Sequence, residues 1–82
     1  MAAVRVRLFA SARDAAGCAA DTIDATTLGE LLDQARHRYG PEFVAVLERA
    51  RVWVNGDEPA DGEATLLAFD DEVAVLPPVS GG

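Results

Sequence analysis

The sequence contains no lysine, one cysteine, one histidine and five aromatic residues among 82. Each scarcity excludes something. A single thiol, Cys18, rules out a disulfide within the chain and fits a reducing compartment. No histidine or basic cluster stands beside it to make it a nucleophile, so it reads as an inert small residue. His37 sits alone between Arg36 and Arg38, which is no metal-ligand spacing, and it reads as a helix-surface residue. Without lysine the chain cannot build polymers through its own side chains. No apolar run is long enough to cross a bilayer and no signal-peptide pattern is present, so the expectation is a soluble cytoplasmic protein. Internal repeats and low-complexity segments are also missing.

What remains is a chain of one-domain length in which 50% of residues are hydrophobic, enough for a core without metal or disulfide. The net charge of −7 is unevenly placed. Residues 1–51 hold seven arginines and seven acids, whereas residues 52–82 hold seven acids and no base. That distribution argues against nucleic acid or an anionic membrane as partner and leaves two readings, docking on a basic protein surface or an acidic face that only solubilises the chain.

Alternation of Val4, Val6 and Leu8 with Arg5, Arg7 and Phe9 predicts a first strand. Residues 11–18 predict a short helical turn ending near Gly17, and Ala20 to Asp24 a second, weaker strand. Thr27 and Glu30 form a capping box, followed by Leu28, Leu31, Leu32, Ala35 and Tyr39 on one helical face. Gly40 is placed to cap that helix in left-handed geometry and Pro41 to open another, with Phe43, Val46 and Leu47 facing inward. Val52 to Val54 predict a third strand, and Asn55-Gly56 a type I′ hairpin. A short edge strand near Glu58 to Ala60 should follow. In the connection 61–69, at least two of Leu66, Leu67 and Phe69 are expected to be buried. The last strand is Glu72 to Leu76. These elements predict an α+β fold: a four- or five-stranded mixed sheet of β-grasp (ubiquitin-like) type, with one main helix across one face. Its first and last strands would be parallel neighbours at the centre. The domain would span residues 1–76.

Residues 77–82, PPVSGG, read as an extended C-terminal arm. Pro77 and Pro78 cannot donate to a ladder and bias the next residues toward polyproline geometry. Val79 and Ser80 are small, and Gly81 and Gly82 carry no side chain. Six residues reach at most about 20 Å, and so bare a tip can enter a channel too narrow for ordinary residues. The terminal carboxylate becomes the candidate working group.

Strand parity adds a surface. If Val4, Val6, Leu8, Val52, Val54, Val73 and Val75 face the helix, then Phe9, Trp53, Ala74 and Leu76 face the other way. Phe9, Trp53 and Leu76 would form an exposed apolar patch beside the root of the arm, as interfaces do, unless a loop covers Trp53 or a shifted register turns it toward the core.

The stretches VRVRLFASARDAAG, TTLGELLDQA, VWVNG and DDEVAVLPPVSGG resemble the MoaD/ThiS family of sulfur-carrier proteins over nearly the whole chain. The PPVSGG ending is most similar to that of small subunits of molybdopterin synthase. Asp70 stands where the family usually has glycine, and the acidic arm Asp57 to Pro59 where some members have an apolar interface residue. The resemblance implies that the carboxylate of Gly82 is adenylated by an ATP-dependent, ubiquitin-activating-like adenylyltransferase. A sulfur-donor enzyme would then convert it to a thiocarboxylate. It further implies insertion of the arm into the large catalytic subunit of molybdopterin synthase, within a heterotetramer, and sulfur transfer to cyclic pyranopterin monophosphate. On this reading Gly81 and Gly82 are the reactive end, and Phe9, Trp53, Leu76, Pro77, Pro78, Val79 and Ser80 meet partners. The chain binds no cofactor, ATP being used by the activating enzyme, and it is a co-substrate more than an enzyme. Sulfur delivery to thiamine thiazole, cysteine or a siderophore, or modification of other proteins, are the alternatives.

Overall fold

The computed structural model describes residues 2–78. β1 (Ala2–Leu8) is followed by α1 (Ala10–Ala16), β2 (Ala20–Ala25), α2 (Leu28–Tyr39), α3 (Pro41–Leu47), β3 (Arg51–Val54), a 3-10 turn at Gly62–Ala64 and β4 (Glu72–Leu76). The sheet order is β2-β1-β4-β3. β1 runs antiparallel to β2 and parallel to β4, and β3 runs antiparallel to β4. The first and last strands are therefore the central parallel pair, and α2 covers one face: the β-grasp arrangement.

Period-two alternation is obeyed on the central strands. Val4, Val6, Leu8, Val73 and Val75 are buried, while Arg5 and Arg7 are exposed. Leu28, Leu31, Leu32 and Ala35 of α2, with Phe43 and Leu47 of α3, close over them. Val46 is only partly buried at the margin of this core. Tyr39 meets the Phe43 ring edge-on, with centroids 5.0 Å apart.

Local chemistry explains the boundaries. The Glu30 amide donates to Thr27 Oγ1 at 3.2 Å, while the Glu30 carboxylate accepts from the amide of Thr26 at 3.1 Å, one residue before the usual capping-box partner. Gly17 ends α1 in the left-handed region at φ 82°. Gly40, at φ 94°, caps α2 and precedes Pro41 at the start of α3. The hairpin turn has positive φ at both Asn55 (52°) and Gly56 (84°), as type I′ requires.

Two expectations are corrected. No fifth strand forms among the described residues: after the turn only Asp57 makes an isolated bridge, to Val54. Pro59 lacks the amide a ladder would need next, and the chain turns away. In the connection 61–69 only Leu67 is buried; Leu66 is 74% and Phe69 78% exposed. The Leu67 amide is held by the Thr26 carbonyl at 2.9 Å. That bond leaves room for one apolar side chain beneath α2 and turns its neighbours outward.

Candidate functional site

β4 aims the chain out of the sheet at one end. Its last residue, Leu76, pairs with Arg51 of β3, and Val75 pairs with both Leu8 and Val52. The Val75 carbonyl accepts the Phe9 amide at 3.3 Å, the final rung before Pro77. Pro77 is half-buried and Pro78 exposed. Val79, Ser80, Gly81 and Gly82 lie outside the described residues.

The patch residues face as parity requires. Val52 and Val54 pack toward the core, so Trp53, between them and opposite Ala74, faces outward and is half-buried. The alanine leaves the indole room on the sheet. Leu76 is half-buried and Phe9 is 38% exposed on the same outer face. Leu76 is diagonal to Trp53 across the β3–β4 pair, a spacing long side chains bridge. The Arg7 guanidinium lies 5.7 Å from the Phe9 ring centroid and 3.7 Å from the Glu72 carboxylate. It ties the apolar end of this face to its acidic end.

A feature that sequence reasoning missed lies on the other side of the arm's root. A groove of about 530 Å³ is lined by Ser11 of α1, by Val46, Glu48 and Arg49 around the end of α3, and by Pro77 and Pro78. In the sequence Val46 reads as core and Pro77 and Pro78 as the root of the arm, and nothing there brings the three together. The root of the arm thus has the outer sheet face on one side and a helix-walled groove on the other.

The acids do not gather at the arm, although they share its third of the sequence. Asp70, Asp71 and Glu72 stand where β4 begins, at the opposite end of the sheet, beside the Asn55-Gly56 turn. The Asp70 amide donates to the Ala3 carbonyl at 2.9 Å. Arg5 donates from Nε to Asp70 Oδ1 at 3.0 Å and from Nη1 to Glu72 Oε2 at 3.1 Å. Asp71 accepts the Ala68 amide at 2.7 Å and the Asn55 side-chain amide at 3.0 Å. The Ala68 N–H first, and Asn55 second, hold the Asp71 carboxyl below its ordinary value. Asp70 adopts φ 67° in the turn where glycine is usual, and its side chain is used by Arg5.

A second polar cluster joins α2 to the start of β2. Tyr39 donates to Asp21 Oδ2 at 2.6 Å, and Arg38 Nη1 donates to the same oxygen at 3.0 Å. The tyrosine hydroxyl foremost, helped by the Thr22 amide and Arg38, lowers the Asp21 carboxyl; burial raises the Tyr39 phenol, and Asp21 raises it further. This cluster anchors the helix. Cys18 is half-buried beside it. Among the described residues no group of histidine, cysteine and acid side chains is arranged to hold a metal, and no helix is long and apolar enough to cross a membrane.

Solved structures share this fold. The chain is similar to small archaeal modifier protein 1 from Methanosarcina acetivorans at 31% identity and TM-score 0.88, covering 100% of this chain and 98% of that one. It is similar at 28% identity and TM-score 0.73 to a chain in the complex of subunits 1 and 2 of molybdopterin-converting factor from Helicobacter pylori, covering 98% and 99%. The fold alone is shared with CysO of Mycobacterium tuberculosis, at 22% identity and TM-score 0.78 over 93% of this chain and 99% of that one. No curated protein sequence matches. The model of the ThiS family matches residues 6–82, from the first strand through Gly81-Gly82. The chain belongs to the ThiS family of ubiquitin-like sulfur carriers.

Proposed function

We propose that this chain carries sulfur as a thiocarboxylate on Gly82 and delivers it as the small subunit of a molybdopterin synthase. The observation that carries the reading is the ThiS match, which extends through the two glycines that follow Pro77-Pro78. A free carboxylate, with an ordinary pKa near about 3.5, is ionised at neutral pH and is a poor electrophile. Adenylation by an ATP-dependent activating enzyme gives a mixed anhydride with AMP as leaving group. A sulfur donor then displaces AMP at the acyl carbon. The arm enters the large subunit's active site, where the sulfur passes to cyclic pyranopterin monophosphate and Gly82 returns to its carboxylate. Catalytic side chains belong to the large subunit and the activating enzyme, while this chain supplies the reagent and its guide surface. The likeness to one chain of the Helicobacter pylori complex supports a large-subunit partner. A heterotetramer follows from the same reading.

The likeness to an archaeal modifier protein favours a second reading, attachment of Gly82 to lysines of other proteins. With no lysine of its own, the chain would attach singly. Intact-mass measurement after incubation with ATP, activating enzyme and sulfur donor separates the readings. The expected result is a single oxygen-to-sulfur exchange. Adding the large subunit and pterin precursor should then restore the original mass and yield molybdopterin. Stable amide adducts with other proteins, or sulfur retained until a thiazole, cysteine or siderophore acceptor is supplied, would overturn the synthase assignment.

A further inference from the structure

The two most exposed large hydrophobics among the described residues, Leu66 (74%) and Phe69 (78%), are not on the outer sheet face or at the arm. They lie in one short loop at the far end of the sheet. A loop holding such residues in water by accident would be loosely held. This one is clamped: Leu66 bridges Thr27, the Leu67 amide donates to Thr26, and Asp70 donates to Ala3. Residues 68–71 form a tight turn, closed by the Asp71 amide on the Ala68 carbonyl at 3.1 Å. Positive φ at Asp70 leaves Phe69 at its tip, and Asp71 stitches the turn to Asn55 of the neighbouring hairpin. An aromatic side chain on a rigid turn loses little freedom on binding, which is the economy of a preorganised anchor. Leaving it in water forgoes burial that the fold could have used.

The surroundings say what it would meet. Asp24, Asp57, Asp70 and Asp71 stand at this end, and the nearby base, Arg5, is taken by Asp70 and Glu72. A second copy would bring like charges together, and an anionic bilayer would be repelled. An apolar socket rimmed by lysine or arginine is the complement.

We infer that Leu66 and Phe69, on the clamped loop at the end of the sheet opposite the arm, dock into a basic-rimmed apolar socket on the enzyme that adenylates Gly82. This rests on the reading of the chain as an activated carrier. It assigns that enzyme a grip separate from the outer face and from the arm it must admit.

The test titrates full-length chain into its own activating enzyme without ATP, at low and high salt. Leu66→Ser/Phe69→Ser is expected to bind roughly tenfold more weakly, as loss of an anchor does. Its melting temperature should be unchanged, and the affinity of the unaltered chain should fall with salt. A chain lacking Gly81 and Gly82 should retain this contribution. Equal binding by the unaltered chain and the double variant, with ATP-dependent adenylation intact, overturns the inference and spares the functional reading. A collapse in melting temperature, or a concentration-dependent dimer that the double variant abolishes, overturns it too. Failure of the unaltered chain to bind or to be adenylated removes the functional reading itself.

Discussion

The two ends of the sheet are built on opposite principles. Where β4 enters, every strand end is tied: Arg5, Asn55, Asp70, Asp71 and Glu72 exchange hydrogen bonds across three segments. Where β4 leaves, the ladder stops at Pro77, and half-buried apolar residues, a groove and the arm remain. Ordering is concentrated at one end, so the other can carry surfaces that satisfy nothing within the domain. A fold of this size holds few spare contacts, and it concentrates them where β4 enters, the end whose clamped loop also displays Leu66 and Phe69.

That contrast can be broken by experiment. The largest effect belongs to the arm: deleting Gly82, or adding one residue after it, should abolish sulfur transfer while leaving the melting temperature unchanged. Normal turnover by either variant in a reconstituted synthase assay would remove the carboxylate from the mechanism. Next come two adjacent leucines. Leu67→Ala should cost about 2–4 kcal/mol in urea unfolding, as buried leucines do. Leu66→Ala should stay within about 0.5 kcal/mol, as exposed positions do. Equal costs would mean that the loop is not clamped as described.

A smaller effect tests the outer face. Phe9→Ala or Leu76→Ala should weaken binding to the large subunit about tenfold, or about 1.4 kcal/mol. Stability should fall by less than that. A collapse in melting temperature with unchanged affinity would make those side chains core.

The smallest effect is acid sensitivity at the tied end. The Asp71 carboxyl is lowered in the folded chain, so its stabilisation is complete above its ordinary value of 3.8 and is lost as pH falls through the lowered one. Asp71→Asn should therefore flatten the fall in urea midpoint below pH about 4. An unchanged acid limb would show that Asp71 contributes nothing to it.

Where short-range chemistry decides, the fold is legible in the residues themselves. Alternation in β1 and β4, the Thr27 side-chain cap and the Asn55-Gly56 turn appear as read, whereas Glu30 closes its box on Thr26 and Gly40 ends α2 with ψ at −173°, outside left-handed geometry. The outward turn of Trp53 followed from counting parity alone. Parity fails for Leu66, Leu67 and Phe69, because an irregular loop has no period and long-range bonds from Thr26 and Ala3 choose which side chain goes in. The expected strand at Glu58 to Ala60 failed because hairpin chemistry specifies a reversal without specifying how far pairing continues. The acids beside the arm in sequence lie a strand's length from it in space, about 13 Å at about 3.3 Å per residue. Counting charge along the chain could not show that.

The strand that bears the arm is bonded on both sides, to β1 and to β3. A pull along Pro77 is therefore resisted in shear by two ladders at once and cannot peel an edge open rung by rung. Force applied beyond Pro77 is thus shared across the sheet, and the core strands keep their register under it.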